Sequence, residues 1–150
     1  MTVSGSRTNS ARILIVDDNP LGLAARRSVL EELGHRVHTC VLAHDALEQC
    51  RAQSFDLVIT DYRMPKMNGT EFIQELRKHD PEIPIILISG FTDALGLNES
   101  STGADVVIQK SAQEVGRLIR AVARLTRKTA PKKKAAASTG ASSDTTRKRA

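Results

Sequence analysis

Five short runs of β-branched and other apolar residues, each followed by an amphipathic stretch, constrain this chain more than any other feature. They occupy residues 12–16, 35–40, 56–60, 85–88 and 104–109. The first (RILIV) and fourth (IILI) are continuously apolar, as expected of strands buried on both faces of a sheet. Between the runs lie helical periods. Asn19 is placed to cap the first helix and Pro20 to open it. That helix is predicted to carry Leu21, Ala24, Ala25, Val29, Leu30 and Leu33 on its apolar side and to stop at Gly34. Further helices are predicted over 43–52, with Ala46, Leu47 and Cys50 on one face, over 71–79, with Phe72, Ile73 and Leu76, and over 112–124, with Val115, Leu118, Ile119 and Val122. A short, weak helix is expected over 92–98, where Gly96 limits its length. Successive strand–helix units need crossover connections, and these build a parallel sheet covered by helices on both faces.

Such a chain has one place for chemistry, the rim at the carboxyl ends of the strands. Five polar residues fall there. Asp17 and Asp18 follow the first strand, Asp61 the third, Ser89 the fourth and Lys110 the fifth. Taken singly, each has a plain reading: the aspartates can cap a helix, and Ser89 and Lys110 can be a loop hydroxyl and a solvated charge. Taken together, three carboxylates at one rim repel one another unless a cation joins them. A hard divalent ion such as Mg²⁺, with oxygen ligands, suits that need. A carboxylate nucleophile, a divalent ion, a lysine ammonium and a hydroxyl donor together suit phosphoryl transfer.

The blocks ILIVDDNP, LVITDYRMPKMNG, ILISG and GADVVIQK, in this order and spacing over about residues 11–126, resemble the receiver domain of two-component response regulators. The resemblance implies an α/β, doubly wound, five-stranded parallel sheet of order 2-1-3-4-5 with five helices, the flavodoxin-like receiver fold. It implies that Asp61 is the phosphoacceptor, taking its group from a histidine kinase or a histidine phosphotransfer protein. Asp18, Asp61 and the backbone carbonyl of Arg63 would bind Mg²⁺ directly, and Asp17 mainly through water. Ser89 and Lys110 would hold the phosphoryl oxygens, while Met64-Pro65 and Asn68-Gly69 shape the loop after the acceptor. The expected role is that of a single-domain signalling switch with no turnover beyond its own phosphorylation and dephosphorylation, working on a downstream protein target that the sequence does not name. Two positions depart from the pattern. Val107 stands where receivers of this kind usually carry Tyr or Phe, and Ser111 where Pro usually follows the lysine, so the usual output face is open to question. A cis bond before Ser111 would cost about 3 kcal/mol, so the Lys110–Ser111 bond is either trans, with a rearranged loop, or strained. Tyr62 either shields the site or packs beside it. Arg63 and Phe91, two residues beyond Asp61 and Ser89, border the expected path of an attacking water, and Phe91 serves equally well as a cap on the core.

Charge divides the chain. Residues 1–126 hold 14 Lys+Arg against 16 Asp+Glu, whereas residues 127–150 hold 8 Lys+Arg against one Asp. The pI near 9.6 therefore belongs to the tail. Residues 1–10 and 127–150 are expected to be disordered, flanking a domain over 11–126. The tail, with one lysine cluster at 132–134 and no aromatic residue, suits weak, nonspecific nucleic-acid binding, an anionic membrane surface, or a spacer. A regulator working on nucleic acid through this tail is one alternative function. A phosphatase of the haloacid dehalogenase type is another, although its D-x-D motif is replaced here by adjacent Asp17-Asp18. No apolar run approaches the ~18 residues of a membrane span, and residues 1–10 lack a signal-peptide core, so a cytoplasmic location is expected. Cys40 and Cys50 fit small apolar sites in a reducing compartment better than a disulfide or a metal site. His35, His38, His44 and His79 lack ligand spacing and are expected at the surface or the sheet edge.

Overall fold

A computed structural model of the chain describes residues 10–90 and 95–138. Its five strands are β1 (Arg12–Val16), β2 (Arg36–Cys40), β3 (Leu57–Asp61), β4 (Ile85–Ser89) and β5 (Val106–Gln109). They form one parallel sheet in the order β2-β1-β3-β4-β5, as the resemblance implies. The helices among the described residues are α1 (Pro20–Glu32), α2 (Ala43–Ala52), α3 (Gly69–His79), α4 (Glu99–Thr102) and α5 (Glu114–Ser138).

Alternation along the strands sends side chains to opposite faces and makes two cores. Leu14, Val16, Val58, Ile85 and Leu87 face α2 and α3, where Ala46, Leu47, Phe72, Ile73 and Leu76 meet them. Ile13, Ile15, Leu57, Ile59, Ile86 and Ile88 face α1 and α5, packing on Leu23, Leu30, Leu118, Ala121, Val122 and Leu125. Strands β3 and β4 are buried along their whole length, which is why both open on apolar runs, LVI and IILI, before their polar ends. α1 and α5 thus share a layer, and that neighbourhood matters at the site.

Three expectations need correction. Periodicity puts Leu21, Ala24, Ala25 and Leu33 on the apolar side of α1, yet all four are exposed, Leu21 at 80%. The buried residues are Leu23, Arg26 and Leu30. The helix starts where the Asn19 side chain caps Leu21 N and Pro20 sets the first turn, and that start, with the sheet, sets its phase. His35, expected at the surface or edge, is buried, and its Nδ1 accepts from the Ala11 backbone amide at 3.1 Å. The helix predicted over 92–98 falls partly outside the described residues. Within them Leu95 is helical and Gly96 turns, and a separate α4 begins at Glu99, where Asn98 and Ser101 form a capping box, and ends at Gly103 in the left-handed region. Finally, α5 begins at Glu114 and its backbone continues to Ser138, whereas the sequence predicts a helix over 112–124. Ala and Lys are strong helix formers, so loss of apolar periodicity does not by itself stop a helix. Phe91 and the segments 1–9 and 139–150 lie outside the described residues.

Candidate functional site

Parallel pairing brings the ends of β1, β3 and β4 level. Val16 pairs with Thr60, and Asp61 with Ile88, so Asp17 and Asp61 emerge side by side on neighbouring strands. Ser89 closes β4 opposite Gln109, and the Lys110 amide donates to the Ser89 carbonyl at 2.9 Å. The five residues expected at the rim are therefore together. Asp17, Asp61 and Ser89 are buried, at 1%, 4% and 1% exposure, while Asp18 and Lys110 are open to solvent.

Oxygens of Asp17, Asp18 and Asp61 lie within 4.8 Å of one another. The Lys110 Nζ stands 2.8 Å from Asp61 Oδ1. That contact pairs a partly exposed ammonium with a buried carboxylate. Burial, partly offset by Lys110, pushes the Asp61 carboxyl above its ordinary range, and the neighbouring Asp17 charge adds to the rise. An all-oxygen cluster of three carboxylates, two of them buried, fits a hard divalent cation.

The loop after β3 is built to hold Asp61 in place. A side chain at Gly69 would bring its Cβ within 2.6 Å of the Asp61 carbonyl and 2.9 Å of Tyr62 Cα, so only glycine admits this approach. The Gly69 amide donates to the Tyr62 carbonyl at 2.7 Å. Asn68 then caps α3 in a capping box with Glu71. Met64 is buried among the residues under α2 and α3. Tyr62 packs half-buried against the same core, which favours the packing role for it. Arg63 is exposed.

The two departures from the pattern also have structures. Val107 is half-buried against the core, and its amide donates to the Glu99 carboxylate at 2.9 Å. The Lys110–Ser111 peptide is trans, and the Ser111 hydroxyl accepts from the Gln113 amide at 3.1 Å on the way into α5.

Sequence reasoning missed one group. Arg26, on the inner face of α1, donates through Nη1 to Asp17 Oδ2 at 2.6 Å and through Nε to Glu114 Oε2 at 2.9 Å. Burial opposes its charge, but the Glu114 and Asp17 carboxylates outweigh that and hold the guanidinium above its ordinary range. The other Asp17 oxygen accepts from the Asn19 amide at 2.9 Å. The signal was available: Arg26 sits three residues after Leu23 and four before Leu30, inside the stripe that does pack.

Residues 13–123 match the family profile described as the response regulator receiver domain. The chain belongs to this family. Among curated relatives, this receiver is 38% identical over 94 residues to the hydrogenase transcriptional regulatory protein HoxA of Cupriavidus necator, covering 60% of the chain and 19% of HoxA. It is 34% identical over 95 residues to the signal transduction histidine-protein kinase BarA of Escherichia coli, covering 61% of the chain and 10% of BarA. The chain thus spans a fifth or less of those relatives. Among solved structures, it matches the response regulator TrrA of Thermotoga maritima in complex with Mg²⁺ and a beryllium fluoride, at 31% identity, TM-score 0.65, and 74% and 97% coverage of the two chains. It also matches the signal receiver domain of a histidine kinase from Syntrophus aciditrophicus, at 29% identity, TM-score 0.73, and 81% and 93% coverage. Among the described residues, no helix is long and apolar enough to cross a membrane.

Proposed function

We propose that this receiver accepts a phosphoryl group on Asp61 from a phosphohistidine of a histidine kinase or phosphotransfer protein, and signals through contacts with a downstream protein. The observation that carries the reading is a buried Asp61 set against two further carboxylates and 2.8 Å from the Lys110 ammonium. A carboxylate oxygen of Asp61 attacks phosphorus, the new O–P bond forms as the N–P bond breaks, and the histidine leaves. Lys110 neutralises charge on the phosphoryl oxygens, and the Ser89 hydroxyl donates to one of them. Asp18, Asp61 and the Arg63 carbonyl would hold Mg²⁺ directly, and Asp17 through water. When bound, the ion neutralises the negative charge that three carboxylates and a phosphoryl group bring together. The reading treats the protein as a switch whose only turnover is the formation and hydrolysis of its own acyl phosphate. The receiver match leaves the dehalogenase-type phosphatase without support.

Incubation with acetyl phosphate or a phosphorylated kinase plus Mg²⁺ tests this directly. Wild type is expected to become labelled and Asp61→Asn to stay unlabelled; equal labelling of the two sinks the assignment.

The excess of 8 Lys+Arg over one Asp in residues 127–150 supports a secondary role in weak, nonspecific nucleic-acid binding. Binding to DNA should then fall steeply with salt and disappear when those residues are removed. Unchanged affinity after truncation rejects this role.

A further inference from the structure

The chain's own cation already engages one of the three aspartates of the expected metal centre. Asp17 is 1% exposed, and both of its oxygens are engaged, Oδ2 by Arg26 and Oδ1 by the Asn19 amide. Arg26 is itself buried and grips Glu114, the first residue of α5, with its Nε. The pairing also has space made for it. A Cβ on Gly22 would lie 2.9 Å from Asp17 Oδ2 and 3.4 Å from Arg26 Nη1, so a larger residue one turn before Arg26 would crowd the bridge.

We infer that Arg26 is a positioning residue that competes with the divalent cation for Asp17 and couples occupancy of the site to the first turn of α5 through Glu114. This rests on the reading of Asp17, Asp18 and Asp61 as the metal centre. Two positive centres share one buried carboxylate. Because the three aspartates offer oxygens within 4.8 Å of one another, a dication among them works against the guanidinium on Asp17. Coupling is reciprocal: whatever Arg26 takes from the ion's affinity, the ion takes from the Arg26–Asp17 bridge. A guanidinium loosened from Asp17 still faces Glu114, and the load falls on α5. That route runs along the α1–α5 layer, apart from Val107, where the usual aromatic is missing.

The test is Mg²⁺ binding to the full chain by titration calorimetry, with the backbone amides of residues 113–117 followed by NMR. Arg26→Met removes the competing charge and should tighten Mg²⁺ binding roughly 5- to 150-fold, the usual range for coupled sites. It should also enlarge the rise in melting temperature that Mg²⁺ produces. Arg26→Lys keeps a charge without the fork that spans both carboxylates, so its affinity should stay nearer wild type while the Mg²⁺-induced shifts at 113–117 shrink. Glu114→Gln, on a partly exposed partner, provides the same loss of shifts if Arg26→Met does not fold. Equal or weaker Mg²⁺ binding by folded Arg26→Met overturns the competition. Undiminished shifts at 113–117 in both Arg26→Lys and Glu114→Gln overturn the coupling. Asp18→Asn separates this from the underlying reading: wild-type binding that survives Asp18→Asn, or no wild-type binding at all, defeats the metal centre itself.

Discussion

The Lys110 ammonium stands 2.8 Å from Asp61 Oδ1, although β4 lies between the strands that carry them. Asp61 ends β3 and Lys110 directly follows β5, so both reach the rim and meet above Ser89, the end of the intervening strand. Lys110 remains partly exposed, with 39% of its side chain open, and Asp61 is almost fully enclosed. The acceptor is thus the buried, charge-stressed member of the pair, and the lysine is the member free to move with what arrives.

A site assembled from repelling carboxylates costs stability. In chelator, Asp61→Asn should unfold at a higher temperature than wild type, because it removes a buried charge among two others. A gain of about 1 kcal/mol corresponds to roughly 4 °C in a domain of this size. Calorimetry in EDTA measures it, and a lower melting temperature for the variant counts against electrostatic stress at Asp61.

Gly69→Ala should be costly. Its Cβ would come within 2.6 Å of the Asp61 carbonyl and 2.7 Å of Leu87 Cδ1. Leu87 can shift, but the backbone of β3 cannot without moving Asp61. A loss of about 1–3 kcal/mol in urea unfolding is expected, together with slower phosphorylation. A variant as stable and as quickly labelled as wild type shows that the loop is not held by this contact.

Acid should destabilise the protein partly through His35. Burial pushes its imidazole below the ordinary range, so the unfolded chain takes up the proton first. The stability it contributes is therefore complete above the unfolded value of about 6.5 and is lost as pH falls from there toward the folded value. Protonation also places an N–H where Nδ1 now accepts from Ala11. His35→Gln, an uncharged acceptor, should flatten the stability difference over this window. Identical pH profiles for the two proteins refute the assignment.

Cys50 should be slow to react. Its thiol is pushed up to about 11 by burial first, then by Cys40 and Asp80. Only the thiolate attacks, so labelling with a thiol reagent at neutral pH should be on the order of a hundredfold slower in the native chain than in denaturant. Comparable rates would mean that Cys50 is far more open than its packing suggests.

Where the rim residues lie was legible because each sits at the end of an apolar run, and a parallel sheet leaves its strand ends aligned. Asp61 and Asp17 needed no knowledge of contacts to be placed together. Arg26 did. A run with Leu21, Leu23, Ala24, Ala25, Val29, Leu30 and Leu33 allows more than one apolar stripe, and local periodicity favoured the wrong one. His35 was misplaced for a related reason: an imidazole is polar in a sequence, but in the fold the Ala11 amide meets its nitrogen.

The sequence alone determined the alternation of strands and helices, the parallel sheet and the set of acidic, hydroxyl and ammonium groups at its rim. These follow from local patterns, doubly buried runs and the polar residues that close them. Tertiary structure decided which face of α1 turns inward, and with it the Asp17–Arg26–Glu114 bridge. A buried arginine is tolerated only where carboxylates meet it, and those carboxylates come from β1's end and from α5, whose Glu114 lies 88 residues beyond Arg26.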